Sequence, residues 1–557
     1  MKRYTPHLII FLLAATLLPV YALYRSDSAA MRSAKNIAKR IIIKTTLPLL
    51  RNEKKGLASI SGETDLGGAK IYHAEDKNRI INYAEGYYFD LPDDFKLTVL
   101  TPYMQAESDK GQITVSREWS FEENVDEYIS HYLNRFILSP EYQQKNNISV
   151  TKENPKKDLE IISAVINEPG DIIRDAYIYA IYQTKTRNFY RLMFKYSSGD
   201  EEFEKQAYEV INSLKYFSPH GSIDKKTDFA PVIPPNWSAQ TKSVYDKLCA
   251  NDGVYWGIFS EDIYNKGIDK TVPALEQKLD FKFPIILSYL HFGSEFPTSF
   301  MEKNHSDNRL VELTYQTTSS NNENLFGYTP FLDIYRRKMD DEIRKFARSA
   351  KAFSHPFLFR LNNEPNSDWT SYSGVVNMSD PEIYIANWQR FYRIFEEEGV
   401  NNAIWVFNPN DRSYPPCAWN DCTAFYPGNE FVQVFGITGY NNGTYYKDEK
   451  WREFKDIYDA IQKNCLPAFE KFPWIITEFS SSSVGGDKAK WIENMFENLH
   501  RYPQIKAAVW FSYADYEVYT DKVKTVSRPY WLDETPQTLE AFKKGVKKFQ
   551  KSSLLNH

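Results

Sequence analysis

Two glutamates end apolar runs of the sequence that look like buried strands. Glu364 closes the run PFLFRLNNE (356–364), and Glu478 lies near the end of the run WIITEF (474–479). A carboxylate in such a place is unfavourable unless a partner or a reaction uses it. Two facing carboxyl groups can break a glycosidic bond, one as the acid and one as the nucleophile, when they lie about 5–5.5 Å apart. The pair therefore predicts this chemistry if the fold brings the two residues together.

The elements that must position the pair recur through residues 238–550, where eight short apolar runs alternate with helical patterns. The runs are VYWGIFS (254–260), PIILSYLHF (284–292), VELTYQT (311–317), PFLFRLNNE (356–364), AIWVFNPN (403–410), VFGITGYN (434–441), WIITEF (474–479) and AAVWFSYA (507–514). This count and size predict a (β/α)8 barrel. A doubly wound open sheet is the alternative, but no glycine-rich fingerprint follows the first run. In a barrel, Glu364 on strand four and Glu478 on strand seven project from the same rim.

The ordered motifs of this barrel resemble glycoside hydrolase family 26, a family of clan A that includes endo-β-mannanases and some β-glucanases. The resemblance rests on WGIFS, FLFRLNNEPN, AIWVFNPND, YPGNEFVQVFGITGYN, IITEFS and AAVWFS, and it covers residues 236–545. It implies that Glu364 is the acid/base and Glu478 the nucleophile of a retaining mechanism. Typical members carry His before the acid and Asp-x-Tyr on strand six, whereas this chain has Asn363 and Thr438-Gly439-Tyr440. Mannan as the substrate therefore does not follow.

Three further candidates are interpreted mainly through this resemblance. Asn363 would hydrogen-bond the sugar 2-hydroxyl, a contact that strengthens in the transition state. Tyr440 would orient the nucleophile, and Trp510 would form the platform under the sugar ring at the cleavage point. The alternatives are loop capping for Asn363 and rim packing for Tyr440 and Trp510.

Four more candidates come from their positions near strand ends or on strands. Trp369, in the loop after the acid, is predicted to form a stacking wall for sugar. His291, at the end of strand two, is a candidate sugar contact or a structural histidine. Trp405 and Arg360, on strands five and four, are candidates for the site or residues that fill and brace the barrel.

An α+β domain is predicted over residues 81–217. Three strand-like runs, a helix, three further strand-like runs and a second helix follow one another. This order resembles the PsbP/Mog1-like sandwich. No convergent set of catalytic residue types occurs there, which favours a binding or spacer role. Residues 218–237, rich in proline, charge and small residues, predict a linker. The fold class is α/β, with a (β/α)8 TIM barrel preceded by a smaller α+β domain.

The amino-terminal segment predicts export. Lys2 and Arg3 precede the apolar run LIIFLLAATLLPVYAL, so residues 1–23 fit a signal peptide or a membrane anchor. Residues 24–80 read as a basic stem, and residues 1–56 as a segment that associates with an anionic membrane surface. The expected location is the cell envelope, membrane-anchored or secreted.

Cysteine spacing and charge bound the remaining chemistry. An exported chain can form disulfides, and Cys417 and Cys422 are candidates for a local one. Paired cysteines and histidines with zinc spacing are missing, so no metal and no cofactor are expected. The net charge of −5 gives no field that favours nucleic acid, and the expected partner is a polysaccharide or an oligosaccharide.

Three functions remain open from the sequence. The first is an exported or membrane-tethered retaining endo-glycosidase that cleaves a β-linked polysaccharide such as β-mannan, β-glucan or an exopolysaccharide. The second is a non-catalytic polysaccharide-binding barrel of a surface or secretion assembly. The third is a transglycosylase, which uses the same carboxylates and passes the sugar to another sugar instead of water.

Overall fold

A computed structural model describes residues 53–57, 59–134, 136–224, 227–250, 253–318, 330–520, 523–549 and 554–555. The predicted signal or anchor of residues 1–23 lies outside this range, as does nearly all of the segment 1–56. Within the described ranges, no helix combines the length and apolar character that a membrane crossing needs. The described chain forms two compact units, one from residues up to 93 with 212–223 and one from residues 94–211 and 224 onward.

The first unit is a five-stranded antiparallel sheet. Its strands are β1 (Gly62–Asp65), β2 (Ala69–His73), β3 (Lys77–Asn82), β4 (Tyr87–Pro92) and β12 (Lys215–Tyr216), in the order β1-β2-β3-β4-β12. The first two strands and part of the third lie inside residues 24–80, which corrects the prediction of a stem up to residue 80. These strands are short and β1 is mostly exposed, so their apolar alternation in the sequence is weak.

The second unit begins with a seven-stranded antiparallel sheet in the order β5-β6-β7-β11-β10-β9-β8. Its strands are β5 (Lys96–Val99), β6 (Met104–Glu107), β7 (Gly111–Trp119), β8 (Ile148–Lys156), β9 (Leu159–Ile166), β10 (Ala176–Lys185) and β11 (Asn188–Tyr196). Its helices are α1 (Val125–Tyr128), which continues as a π-helix over Ile129–Asn134, then α2 (Pro140–Asn146) and α3 (Glu201–Ser213). Strands β6 and β8 were not predicted. Strand β8 is a largely exposed, charged edge strand, so it lacks the alternation that marks a half-buried strand.

The predicted single domain of residues 81–217 is therefore divided. Strands β4 and β12 belong to the first unit, while β5 to β11 share the second unit with the barrel. Composition alone gave no sign of this division, because it depends on which strands pair with which.

Eight parallel strands close the barrel, and all eight predicted runs are strands. They are β13 (Tyr255–Ser260), β14 (Ile285–His291), β15 (Leu310–Gln316), β16 (Phe357–Leu361), β17 (Ala403–Phe407), β18 (Val434–Thr438), β19 (Trp474–Phe479) and β20 (Ile505–Ser512). Strand β20 pairs back with β13. The prediction of a (β/α)8 barrel preceded by a smaller part with strands and helices is confirmed.

Helices surround this barrel. They are α4 (Ala239–Cys249), α5 (Val272–Leu279, after a π-helix over Ile263–Thr271), α6 (Thr298–Ser306), α7 (Phe331–Tyr335), α8 (Asp340–Phe353), α9 (Pro381–Glu397), α10 (Phe454–Phe469), α11 (Lys488–Asn498) and α12 (Pro536–Phe549). Short 3-10 helices span Ala418–Asn420, Cys422–Phe425 and Leu499–Arg501, and the hairpin β21 (Ala514–Tyr519) and β22 (Lys524–Pro529) follows β20. Helix α8 illustrates how these helices bury one face. Its buried residues Ile343, Phe346, Ala347, Ala350 and Phe353 recur at helical spacing.

The interior of the barrel has an apolar lower part and a polar upper part. Ile285, Leu287, Leu358 and Val509 pack in one cluster with residues of α4, including Leu248. Along β15, Val311, Leu313 and Tyr315 belong to the separate cluster that contains the surrounding helices. Because side chains alternate along a strand, Glu312, Thr314 and Gln316 face the interior, and this polar layer leads to the rim where the two glutamates lie.

Candidate active site

Glu364 is fixed by the loop that follows β16. Its backbone lies in the left-handed region with φ of 57°, and its N–H donates to the Asn408 carbonyl oxygen at 2.7 Å. The side chain is only 5% exposed. Its Oε2 accepts a hydrogen bond of 2.7 Å from Trp369 Nε1, so the loop that carries the acid also supplies a donor to it.

The environment of Glu364 favours its protonated form near neutral pH. Burial, together with the nearby charge of Glu478, raises the pKa of Glu364 to about 7, although the hydrogen bond from Trp369 acts in the opposite direction. A carboxyl group with such a pKa can hold a proton at neutral pH and release it to a leaving group. This is the property that a general acid needs.

Glu478 lies on β19, and three donors surround its carboxylate. Arg360 Nη1 lies 2.6 Å from Oε1, Asn363 Nδ2 donates to Oε1 at 3.3 Å, and Tyr440 OH donates to Oε2 at 3.1 Å. The carboxylate is thereby held in one orientation at the rim. The structure thus places Tyr440, Asn363 and Arg360 around the predicted nucleophile.

Arg360 also links the nucleophile to the polar layer below it. This arginine is fully buried, and its Nε donates to Thr314 Oγ1 at 2.7 Å and lies 3.3 Å from Glu312 Oε1. Burial raises the pKa of Glu312 to about 8 in spite of the positive charge of Arg360. Sequence analysis missed Glu312. The signal was present as the alternation of Glu312, Thr314 and Gln316 within an otherwise apolar run.

Asn363 has every polar atom of its side chain engaged. Its Oδ1 accepts hydrogen bonds from Gln316 Nε2 at 2.9 Å and from Tyr372 OH at 3.0 Å, while its Nδ2 donates to Glu478. The amide is therefore locked beside the nucleophile. Its predicted contact with a sugar 2-hydroxyl stays a prediction.

The departure from the family pattern on strand six joins this network. Thr438 Oγ1 accepts a hydrogen bond of 3.2 Å from Asn408 Nδ2, and Asn408 Oδ1 accepts one of 2.9 Å from Arg360 Nη1. Thr438 thus replaces a charged partner by a neutral one, two residues before Tyr440.

The predicted role of Trp510 is corrected. The residue is fully buried, its ring packs against Phe479, Trp491 and Phe542, and its Nε1 donates to the Tyr530 carbonyl oxygen. Trp491 and Phe542 belong to α11 and α12, so the indole faces the helices and not the rim. Its neighbour Phe511, which is partly exposed and lies 5.9 Å from the Tyr440 ring, occupies the rim side.

Trp405 is also excluded from the site. It is buried among Phe359, Trp388 and Phe395, so it fills the layer between barrel and helices. Trp369, in contrast, is 42% exposed beside the acid, as a stacking wall requires.

His291 stands at the carboxyl end of β14, where it is half-buried and burial lowers its pKa. Its Nδ1 has no hydrogen-bond partner among the described residues. Contact of His291 with a sugar stays a prediction.

The predicted disulfide between Cys417 and Cys422 is corrected, because all four cysteines are free thiols. Cys417 Sγ lies 3.8 Å from Tyr128 OH, and Cys422 Sγ lies 3.7 Å from Cys465 Sγ. Although Cys417 and Cys422 are close in the sequence, their thiols therefore do not lie against each other. Within the described ranges, no group of three or more metal-ligating side chains is assembled.

The seven-stranded sheet and helix α2 contact the loop that carries Glu364, which runs from Asn362 to Asp380. Tyr142 OH and Tyr179 OH donate to the carbonyl oxygens of Val376 and Met378. Arg191 Nη2 donates to the Ser379 carbonyl oxygen at 2.8 Å. Lys195 Nζ lies 2.7 Å from Asp380 Oδ2, and both side chains are buried. The sheet therefore fixes the far end of the acid loop.

The closed (β/α)8 barrel carries Glu364 after strand four and Glu478 on strand seven, the arrangement that the resemblance to clan A glycosidases implies. The model of the family described as glycosyl hydrolase family 26 matches residues 315–484, a range that contains both glutamates. The prediction of a catalytic domain similar to family 26 is confirmed. The resemblance of residues 81–217 to PsbP/Mog1-like sandwiches stays a prediction.

Two curated relatives and one solved structure show the range of similarity. Endoglucanase H of Acetivibrio thermocellus is 25% identical over 289 residues, which cover 50% of this chain and 29% of that protein. Mannan endo-1,4-beta-mannosidase of Bacillus subtilis is 28% identical over 141 residues, or 24% of this chain and 32% of that protein. The matches thus span less than a third of each relative. A family 26 β-mannanase from Bacteroides ovatus aligns with a TM-score of 0.44 and 12% identity, over 57% of this chain and 98% of that one.

Proposed function

We propose that the barrel is a retaining, endo-acting glycoside hydrolase that cleaves a β-linked polysaccharide by double displacement. One observation carries the proposal. Two buried glutamates share one rim, and they differ in their partners: burial and the charge of Glu478 favour a proton on Glu364, while Arg360, Asn363 and Tyr440 hold Glu478.

These partners suit the two roles of the mechanism. Glu364 donates its proton to the leaving oxygen while Glu478 attacks the anomeric carbon, which gives a covalent glycosyl-enzyme. Trp369 Nε1 stabilises the ionised Glu364 by its hydrogen bond. This carboxylate then takes a proton from water as the water oxygen attacks the anomeric carbon and breaks its bond to Glu478. The return of the proton to Glu364 completes the cycle.

The names of the relatives give the first substrates to test. An endoglucanase and a mannan endo-1,4-β-mannosidase support glucan and 1,4-linked β-mannan as the first substrates. Asn363 and Thr438 depart from the family pattern close to the nucleophile. The resemblance to the family therefore does not decide between the two sugars, and both must be tested on this chain.

The experiment compares three proteins: the full parent chain, its Glu364→Gln variant and its Glu478→Gln variant. Each is incubated with β-mannan, β-glucan, xylan and bacterial exopolysaccharides, and the formation of new reducing ends is measured. We expect cleavage by the parent and a loss of about 10³-fold or more in each variant, since each removes one half of the mechanism. Glu493→Gln, at an exposed position of α11, is the matched control and should cleave like the parent.

An aryl glycoside with an acidic leaving group separates the two roles. Such a group needs little protonation, so Glu364→Gln should retain a burst of released phenol, while Glu478→Gln should show none. Proton NMR should show the β-anomer as the first product of the parent. Tight polysaccharide binding without any cleavage would instead support a binding barrel.

A further inference from the structure

Two large aromatic side chains of the seven-stranded sheet are exposed together. Trp119, at the end of β7, is 49% exposed, and Phe121 is 64% exposed. Their ring centroids lie 5.0 Å apart in an edge-on arrangement. Single exposed apolar residues are common on proteins, but a contiguous exposed patch of large rings marks an interaction site.

Phe121 lines a cavity of about 740 Å³ that reaches the barrel, named here the outer cleft. On the sheet side, Phe121, Glu122 and His131 form its wall, and on the barrel side Asn366 and Tyr414 do. This volume is in the range of cavities that hold small ligands, roughly 300–1,000 Å³.

The outer cleft adjoins a second cavity at the rim of the barrel. This cavity of about 300 Å³, the inner cleft, is lined by Trp369, which donates to the acid, and by Tyr440, which donates to the nucleophile. The two cavities share Asp368, Asn410, Asp411, Arg412 and Tyr414. The two clefts therefore adjoin along these shared residues, with Trp369 and Tyr440, the partners of the two glutamates, in the inner cleft and Phe121 in the outer one.

Two contacts from the sheet fix the barrel side of the outer cleft. Glu118 Oε2, on β7, accepts a hydrogen bond of 2.7 Å from the Ala418 N–H, and the Arg191 guanidinium stacks 5.1 Å from the Trp419 ring. Both contacts fix the segment that follows Tyr414. The outer cleft is thus a built feature in which the sheet and the barrel each supply one side.

We propose that the outer cleft binds sugar units of the polysaccharide chain beyond the cleavage point. Phe121 and Tyr414 are its stacking platforms, and Trp119, whose ring contacts Phe121 just outside the lining, extends the platform on the sheet. This inference rests on the proposed function and deepens it. The apolar faces of pyranose rings stack on aromatic side chains, and the shared polar residues offer hydrogen bonds to sugar hydroxyls. The seven-stranded sheet then acts as part of the substrate cleft and not as a spacer.

The charge of the cleft selects among polysaccharides. Four acidic residues line it, against one arginine and one histidine: Glu122, Asp368, Asp411 and Asp421, with Arg412 and His131. Carboxylates of the protein repel a chain of uronic acids. Asp411 is paired with Arg452, but the remaining acidic residues still disfavour a chain of uronic acids, and the neutral β-linked chains of the proposed function are the occupant that we propose.

The test measures binding by calorimetry in the full chain with Glu478→Gln, so that no cleavage occurs during titration. The probes are β-1,4-linked gluco- and manno-disaccharides and hexasaccharides, and a hexauronate. We expect the hexasaccharide of one series to bind at least about tenfold more tightly than its disaccharide, and the double variant Trp119→Ala/Phe121→Ala to remove most of this advantage. Tyr414→Ala, on the barrel side, should reduce it independently.

Ile173→Ala is the matched control. Ile173 is 80% exposed on the same unit but lines a different cavity, so both affinities should match those of the parent background. Equal affinity for short and long chains, a hexasaccharide affinity that ignores the double variant, or tighter binding of the hexauronate would overturn the proposal. Length-dependent binding through these residues in a parent that cleaves nothing would support the cleft while it refutes the hydrolysis.

Discussion

At the scale of single residues, two glutamates of nearly equal burial are prepared for different tasks. Glu364 and Glu478 are 5% and 6% exposed, so burial alone does not distinguish them. The difference lies in their partners: the described hydrogen bond to the Glu364 side chain comes from a neutral indole, whereas Glu478 contacts the guanidinium of Arg360. Burial beside the charge of Glu478 favours a proton on Glu364, and this difference in surroundings suits the proposed roles of acid and nucleophile.

The indole of Trp369 tunes the acid, which gives the first prediction at this scale. Trp369→Phe removes a hydrogen bond that stabilises ionised Glu364, so the pKa of Glu364 should rise further. Cleavage needs the protonated acid, and the alkaline limb of the pH profile of kcat/KM should therefore move upward by about half a pH unit.

A second tryptophan provides the control for this shift. Trp451 Nε1 donates to Glu453 Oε1 at 2.7 Å, the same distance as in the Trp369 pair. Trp451→Phe thus removes an equivalent hydrogen bond from another glutamate and should leave the limb in place. A limb that moves to lower pH in Trp369→Phe would contradict the assignment of Glu364 as the acid.

At the scale of elements, the sequence revealed the strands of the barrel better than the faces of those strands. Each apolar run was long enough to identify, and the spacing of Glu364 and Glu478 followed from the repeat. Strands of a closed barrel are buried on both faces, so nothing in the run AAVWFS tells whether Trp510 or Phe511 faces the rim. Glu312 was missed because the candidate carboxylates came from the ends of the runs, whereas Glu312 lies inside the run VELTYQT.

One buried ion pair is among the contacts between the sheet and the acid loop, and it gives a prediction at the element scale. Lys195→Met leaves Asp380 buried without its cation, although Tyr177 still donates to it. We expect a loss of about 3 kcal/mol in the free energy of unfolding. Hydrogen exchange of residues 366–380 should become faster, because Asp380 ends the acid loop.

A double variant tests the cause of this loss. Asp380→Asn removes the stranded charge and keeps a side chain that can cap α9, so the pair Lys195→Met/Asp380→Asn should recover at least half of the stability. Lys110→Met is the exposed counterpart: Lys110 pairs with Glu202 at 2.7 Å with both side chains well exposed, and its removal should cost far less stability than the removal of Lys195, because solvent screens an exposed pair. Equal costs in the two lysine variants would show that the buried pair does not fix the loop.

At the scale of the whole molecule, the boundary that matters lies inside the predicted amino-terminal domain. The linker of residues 218–237 shows a break in composition, whereas the structural division falls near residues 93 and 211, where composition is unremarkable. Compact units are defined by long-range pairing, such as β4 with β12, which no local pattern contains. Deletion of residues 1–237 would therefore remove the sheet that holds Asp380 and would destabilise the barrel.

The raised pKa of Glu364 should make the free energy of unfolding of the whole molecule depend on pH. The pKa of Glu364 is raised to about 7 by burial and by the charge of Glu478, so the folded chain retains a proton that the unfolded chain releases near pH 4.5. The stability that this proton contributes is complete below pH 4.5 and is lost as the pH rises through 7. Glu364→Gln has no such loss, and its advantage over the parent in urea unfolding should grow by about 3 kcal/mol between pH 4.5 and 8. A difference between Glu364→Gln and the parent that stays constant with pH would mean that Glu364 is already ionised at pH 5, and the barrel would then lack its acid.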